Sequence, residues 1–160
     1  MTRVLAAGAG EILGAAEAVR DRFMIDGRET DGRIAVVEQL MPPRALAAPL
    51  HLHTREDEYS YVLEGRVGAR LGDDEVIGEP GDLIFQPRGE WHTFWNAGDV
   101  PARTLLIISP GGLEVLFREL GARGDEIDPG TMAGLADQYG CRVDFDGTGS
   151  VIQRHGLAFA

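Results

Sequence analysis

The sequence predicts an all-β protein, built as a sandwich or barrel, with two short helices near the C-terminal end of the chain. Three observations support this prediction. Short stretches rich in β-branched and large apolar residues recur between Val19 and Ser109. Glycine, proline, asparagine and aspartate turn signals separate these stretches every few residues, and apolar residues take a helical spacing only beyond Ser109. Many short strands joined by frequent turns are typical of sandwiches and barrels.

The strands follow from apolar runs and from the turns between them. The predicted strands are 19–25, 33–41, 66–71, 75–77, 83–86, 91–95 and 102–109, beside a long stretch at 49–65 described below. Pro42 ends the second strand because proline cannot donate to a strand ladder. Pro80 and Gly81 occupy the two central positions that a type II turn favours, which predicts a tight turn before strand 83–86.

The C-terminal third of the chain changes to a helical period. Apolar residues of the first predicted helix stand at Leu113, Leu116, Phe117 and Leu120. Gly121 is its predicted C-cap, and a second helix begins after the N-cap Asp128 and stops at Gly140. Both helices are expected to pack outside the β structure. The sequence therefore predicts one domain over residues 1–145, followed by a flexible tail over residues 146–160.

Charge and cysteine content limit the classes of partner and compartment. The net charge of the 160-residue chain is −11 and its pI is near 4.7, which argues against nucleic acids and anionic membranes, whose phosphates would repel it. Cys141 is the single cysteine, so no intrachain disulfide can form and a reducing cytoplasm is expected. No apolar run is long enough to span a bilayer.

One stretch, residues 49–65, contains most of the candidate metal-binding side chains. His51 and His53 are two residues apart, so a β-strand places both imidazoles on one face. Glu58 follows within the same stretch, and His92 lies in a later predicted strand. Neutral imidazole and carboxylate groups are common ligands of divalent metals. The four side chains form a candidate metal-binding set.

Two spaced patterns resemble the signature motifs of the cupin superfamily. The first is His51-x-His53, four residues, Glu58, six residues and Gly65; the second is Gly81, five residues, Pro87-x-Gly89, two residues, His92, three residues and Asn96. Ala45 stands where such motifs usually have a lead-in glycine. The resemblance implies a double-stranded β-helix, or jelly-roll, barrel with its motif core at about 49–96. It also implies that His51, His53, Glu58 and His92 bind one divalent metal ion per chain, with Fe, Mn, Ni, Co and Zn all open, and that the motif glycines, proline and asparagine are turn residues.

Neighbouring polar residues are expected to lie outside the site. Glu56 and Asp57 are alternative carboxylates, but we expect both to remain in solvent before the strand that carries Glu58. His155, in a glycine-rich tail, is expected to be exposed. No cysteine ligand is expected near the metal.

The residues beside the ligands suggest a substrate class. Residues sharing a strand face with a ligand, together with one further aromatic residue, predict a largely apolar pocket: Ser60, Val62, Phe85 and Phe94. Such a pocket suits a small apolar or aromatic molecule that chelates through oxygen. The run from His51 to Gly65 is similar to that of quercetinase-like cupins, which implies a dioxygenase. The alternatives are a non-catalytic metal-containing binder of small molecules and a cupin isomerase or hydrolase. A homodimer is expected, because an edge strand or the Tyr59/Tyr61 face would otherwise be open to solvent.

Overall fold

The structure, a computed structural model, describes residues 4–123 and 127–159 and contains two antiparallel sheets and three α-helices. The strands are β1 (Glu11–Leu13), β2 (Arg20–Ile25), β3 (Ala35–Met41), β4 (Leu50–His53), β5 (Asp57–Glu64), β6 (Val67–Leu71), β7 (Asp74–Gly78), β8 (Leu83–Gln86), β9 (His92–Asn96), β10 (Ala102–Ser109) and β11 (Cys141–Asp144). The helices are α1 (Glu114–Arg123), α2 (Pro129–Gln138) and α3 (Phe145–His155), and a 3-10 turn covers Gly27–Thr30. None of the helices in the described part of the chain is long and apolar enough to cross a membrane.

The two sheets pack face to face. The first has the strand order β1-β2-β3-β10-β5-β8 and the second the order β11-β4-β9-β6-β7. Buried side chains from both sheets form one cluster, in which Met41 and Val62 of the first sheet accompany Ala69 and Phe94 of the second. We call the faces that meet there the inner faces. The predicted all-β double-sheet fold is confirmed.

Local sequence signals placed several elements accurately. Strands β8 and β10 have the predicted bounds. Gly81 has φ +100°, and the Asp82 N–H donates to the Glu79 carbonyl oxygen at 2.9 Å, as a tight turn requires. Strand β11 was not predicted, because it is a four-residue segment whose pairing with β4 joins residues far apart in sequence.

Helices α1 and α2 lie where the helical period predicted them. The Asp128 side chain caps α2 by accepting from the Thr131 N–H at 3.0 Å. Helix α1, however, continues through Gly121 to Arg123, so the predicted C-cap is wrong. A Cβ on Gly121 would lie 2.9 Å from the Cβ of Leu13, so the glycine permits close packing instead. Both helices pack with inner-face residues of the first sheet, and both contribute side chains to the wall of a cavity.

Helix α3 occupies the region where a flexible tail was predicted. The Asp144 side chain caps it, and Thr148 and Val151 are buried beneath it. Thr148 Oγ1 accepts a 2.8 Å hydrogen bond from the Leu50 N–H, and Val151 packs against Trp95 on the outer side of the second sheet. The glycine-rich composition suggested disorder, but these tertiary contacts stabilise a helix. The extent of a single domain over 1–145 stays a prediction.

Candidate metal centre

The four predicted ligands converge between the two sheets. Strands β4 and β9 pair with His51 directly opposite His92, and His53 shares the face of His51. Glu58 reaches them from β5 in the facing sheet. One potential ligand atom from each of the four residues lies within 4.8 Å of the others, and all four side chains are buried.

Backbone carbonyl groups fix the orientation of two imidazoles. His51 Nδ1 lies 2.6 Å from the Pro49 carbonyl oxygen, and His92 Nδ1 lies 3.0 Å from the Glu90 carbonyl oxygen. In each ring, Nδ1 therefore carries the proton and donates to the carbonyl oxygen, which leaves the Nε2 lone pair free. Metal-binding histidines are commonly held by such outer-shell bonds.

His53 is held on both sides of its ring. Its Nδ1 lies 3.4 Å from Cys141 Sγ, a contact set by the direct pairing of the two residues on β4 and β11. Its Nε2 lies 3.3 Å from a Glu58 carboxylate oxygen. Cys141 is not one of the convergent ligands; it contacts the ring nitrogen on the far side from the cluster and so supports a ligand, a contact that was not predicted from the sequence.

The polar atoms at the centre of the cluster fit a cation. The Nε2 atoms of His51 and His53 are 3.0 Å apart, a separation that needs a proton or a cation between two lone pairs. His92 Nε2 and Glu58 Oε1 are buried without a hydrogen-bond partner in residues 4–123 and 127–159. Three nitrogen donors and one carboxylate, each oriented by its surroundings, are a suitable donor set for a first-row divalent metal.

Burial and mutual contact shift the pKa values of these groups. Burial, reinforced by the neighbouring His92 and His53, holds the pKa of His51 well below its ordinary value. For His53, burial opposes protonation but the Glu58 carboxylate outweighs it and raises the pKa to about 10. The pKa of Glu58 is correspondingly lowered, because the His53 charge outweighs the cost of burial. In the metal-free cluster His53 therefore holds the proton, and Glu58 is the ionised partner beside it.

Glu56 does not remain in solvent as predicted. Its side chain is 5% exposed, and its Oε2 has no hydrogen-bond partner in the described ranges. Glu56 directly precedes β5, two residues before Glu58, and extending the strand alternation by one residue points it to the same side as Glu58. Burial raises the pKa of Glu56. Asp57, by contrast, faces outward and binds Arg88, with 2.7 Å between Asp57 Oδ2 and Arg88 Nη2.

A cavity of about 420 Å³ opens beside the cluster, with His51 and Glu58 in its wall. Most of the remaining wall is apolar and includes Leu46, Phe94, Leu106, Phe117, Leu120, Met132 and Phe159. These residues come from both sheets, from α1 and α2 and from the C-terminal segment. The cavity suits a small, largely apolar molecule that reaches the ligand cluster at one side.

The four predicted pocket residues have different locations. Phe94 lines the cavity, and its prediction is supported by its position. Ser60 and Val62 are buried on the inner face but lie outside the cavity wall, Ser60 binding Gln86 and Val62 packing in the core. Phe85 is 46% exposed and stacks on Tyr59 at 5.0 Å on the outer face, so the structure does not bring it to the cavity. Its neighbour in the ladder, Tyr59, faces outward, and residues paired across strands share a face.

Two polar residues in the cavity wall were missed. Asp21 on β2 and Gln39 on β3 stand opposite each other, and Gln39 Nε2 donates to Asp21 Oδ1 at 3.2 Å. Burial raises the pKa of Asp21 to about 6, against the lowering effect of the Gln39 bond. Neither residue belongs to a motif, so only the strand pairing could have found them.

His155 also differs from expectation. Its ring stacks on Trp95 at a centroid separation of 4.5 Å, and its Nε2 lies 3.1 Å from Glu75. It is therefore partly buried against the second sheet, far in sequence from the ligand cluster. It remains outside the group of convergent ligands.

Comparison with known proteins gives matches to part of the chain. Residues 37–108 match the family described as the cupin domain. Over 60 residues the chain is 40% identical to the tetracenomycin polyketide synthase protein TcmJ of Streptomyces glaucescens. That alignment covers 38% of this chain and 40% of the relative, so the chain matches less than half of the relative's length.

Solved structures share the architecture over a larger part of the chain. The polyketide cyclase RemF of Streptomyces resistomycificus is 29% identical, with a TM-score of 0.58 over 68% of this chain and 80% of that chain. A predicted oxalate decarboxylase of Thermotoga maritima is 20% identical, with a TM-score of 0.62 over 68% of this chain and 99% of that chain. The second similarity concerns the fold alone.

Proposed function

The chain belongs to the cupin superfamily, and from that premise we propose that it is a metal-dependent enzyme acting on a small aromatic molecule that chelates through oxygen. The observation that carries the proposal is the meeting of two features. His51 and Glu58 belong to the convergent ligand cluster and also line the apolar cavity. A substrate in that cavity can therefore contact both the ligand cluster and an apolar wall.

Cyclisation of an aromatic polyketide is the reaction class that we favour. Two similar proteins, one 40% identical over 60 residues and one 29% identical, carry polyketide synthase and polyketide cyclase in their names. Cyclisation by aldol condensation needs a stabilised enolate and a folded chain. A bound divalent metal would supply Lewis-acid polarisation of a chelated carbonyl group.

The chain's own residues would favour such a reaction in three ways. With neutral imidazoles, three histidines and one carboxylate around a dication leave about one positive charge, which suits an anionic oxygen ligand. The carbonyl groups of Pro49 and Glu90 keep two imidazole Nε2 atoms directed at the cluster. Apolar residues such as Phe94 and Phe117 exclude water from the folded substrate.

A quercetinase-like dioxygenase is the second candidate. It is favoured by the same apolar cavity, which would accept a flavonol and would hold it beside the cluster. Dioxygen consumption separates the candidates. Aldol cyclisation forms a carbon–carbon bond and releases water without consuming dioxygen, whereas a dioxygenase inserts both oxygen atoms. A cupin isomerase or hydrolase would neither consume dioxygen nor form a carbon–carbon bond with loss of water. A non-catalytic binder would retain its ligand unchanged.

The first test is metal content and turnover. Protein purified without chelator or affinity metal should contain about one divalent metal ion per chain. His92→Ala should lose most of that metal, while His155→Ala, the same change at the histidine outside the cluster, should retain it. Elemental analysis measures both. Equal metal content in the two variants would contradict the ligand assignment.

The metal-loaded protein is then incubated with an aromatic poly-β-ketone and, separately, with 3-hydroxyflavone in an oxygen electrode. A product lighter by one water without oxygen uptake supports the cyclase. Oxygen uptake with an oxygenated flavonol product supports the dioxygenase instead. Tight binding of both compounds without any product would favour the binding protein.

We also propose that the protein is a cytoplasmic homodimer. The dimer is supported by exposed large apolar residues on two edge strands, β7 and β8, each of which has one edge that pairs with no other strand of the described residues. The cytoplasmic location is supported only by the single cysteine, Cys141, which is free and buried.

A further inference from the structure

A row of polar side chains crosses the inner face of the first sheet beside the metal centre. Asp21 on β2 stands opposite Gln39 on β3, and Gln39 stands opposite Thr104 on β10. Gln39 is 5% exposed and Thr104 is fully buried. Residues of the neighbouring row, Val37 and Leu106, are apolar core residues, so the polar row lies directly beside an apolar one.

Two atoms of this row have unused hydrogen-bonding capacity. Gln39 directs its Nε2 to Asp21, and its Oε1 is buried without a partner in the part of the chain that the structure describes. The same holds for Thr104 Oγ1. Buried polar atoms are nearly always paired, and an exception in a native fold calls for an explanation. Of the two residues, Gln39 lines the cavity, and its unpaired Oε1 is explained if a ligand in the cavity donates a hydrogen bond to it.

The position of the pair limits what that donor can be. Asp21 and Gln39 line the same cavity as His51 and Glu58, and much of the wall around them is hydrocarbon. Burial holds the pKa of Asp21 at about 6, so near neutral pH its carboxylate is largely ionised and accepts hydrogen bonds. Both groups accept, so the matching ligand group is a donor. On an apolar ring system that donor is a hydroxyl group.

We propose that Asp21 and Gln39 form a subsite that accepts a hydrogen bond from a hydroxyl group of the cavity ligand, and so select aromatic ligands with a hydroxyl group beyond their chelating oxygens. This inference rests on the proposed function, because the ligand cluster must hold the chelating end. It assigns specificity to two residues outside the metal-binding motifs.

The test measures binding to the Zn²⁺-loaded protein by fluorescence titration. The probes are 3-hydroxyflavone, which chelates but has no further hydroxyl group, and a set of its derivatives that each carry one additional hydroxyl group. In the wild type, at least one derivative should bind about tenfold more tightly than 3-hydroxyflavone, the usual effect of a hydrogen bond to a charged or buried acceptor. Gln39→Met and Asp21→Leu should remove this gain, so that no derivative binds either variant more tightly than 3-hydroxyflavone binds the same variant.

Gln86→Met is the matched control, since Gln86 is also a fully buried inner-face glutamine but lies outside the cavity wall. It should preserve the gain. The wild type could bind 3-hydroxyflavone but bind no derivative more tightly, which is expected if water alone forms the hydrogen bonds of the polar row. That result would overturn this inference and would leave the proposed function standing. A gain that persists in both pair variants would also overturn it. Failure of the wild type to bind 3-hydroxyflavone and every derivative would overturn both.

Discussion

The buried thiol of Cys141 contacts the imidazole ring of His53, one of the four predicted metal ligands. Its sulfur lies 3.4 Å from His53 Nδ1, the position that backbone carbonyl groups occupy beside the other two imidazoles. A thiol is a weaker partner than a carbonyl group, yet it still fixes the ring plane. His53 should therefore depend on Cys141 for its orientation towards the cluster.

Cys141→Ala is expected to weaken metal binding about tenfold, because loss of an outer-shell partner leaves the imidazole free to rotate. Cys141→Ser retains a group that can hydrogen-bond at the same place and should restore most of the affinity. Competition between the protein and a chromophoric chelator for Co²⁺ measures the dissociation constants. Wild-type affinity in the alanine variant would show that the sulfur only fills space.

The sequence predicted the four metal ligands residue by residue, but it did not predict the residues that contact those ligands or line the cavity beside them. His51, His53 and Glu58 lie within eight consecutive residues, and a spaced pattern reveals them. Cys141 lies 88 residues from His53 and reaches it only through the pairing of β11 with β4. Asp21 was missed for the same reason, since a carboxylate in an alternating strand gives no local sign of facing a cavity.

At the scale of elements, strands β7 and β8 leave an apolar surface open. They are edge strands of the two sheets, and five large hydrophobic residues on or beside them are each at least 39% exposed: Tyr61 on the neighbouring strand β5, Val76, Ile77, Leu83 and Phe85. Unprotected apolar edge strands favour association with another chain. A second copy of this chain offers the same edge and can pair with it symmetrically.

Leu83→Glu should convert the dimer to a monomer, because it places a charge in the centre of the buried contact. Val100→Glu is its control, since Val100 is 62% exposed in a turn away from these strands. Size-exclusion chromatography with light scattering at two protein concentrations measures the mass. A wild-type monomer at both concentrations, or a dimer that tolerates Leu83→Glu, would refute the proposed interface.

Predictability differed between elements for a physical reason. Strands bounded by strong turn signals, such as β8, were placed correctly because turn chemistry is local. Helix α3 contains Gly147 and Gly149, which lower intrinsic helix propensity. The burial of Thr148 and Val151 against the second sheet compensates for this, and a single sequence does not display such long-range contacts.

For the molecule as a whole, the ligand cluster links metal binding, protonation and stability. The pKa of His53 is raised to about 10 from an ordinary value of 6.5, so its contribution to stability is complete below pH 6.5 and is lost as the pH rises towards 10. The pKa of Glu58 is lowered from 4.5, so its contribution is present above pH 4.5 and is lost as the pH falls below that value. These two groups stabilise the metal-free protein most between about pH 4.5 and 6.5.

A metal ion must displace the His53 proton before it can bind. Between pH 6.5 and 10, the metal-free protein holds a proton on His53 that the metal complex cannot retain, because the ligand form of imidazole is neutral. Binding of Zn²⁺ near pH 7.5 should therefore release about one proton, and metal should remove the loss of stability on the alkaline side. Isothermal titration in buffers of different ionisation enthalpy measures the first effect, and thermal unfolding across pH with and without metal measures the second.

His155→Ala should behave as the wild type in both experiments, because His155 binds Glu75 outside the cluster. Zero proton release, with the same alkaline loss of stability in the presence and absence of Zn²⁺, would show that His53 is already neutral and that the His53–Glu58 pair does not hold the proton.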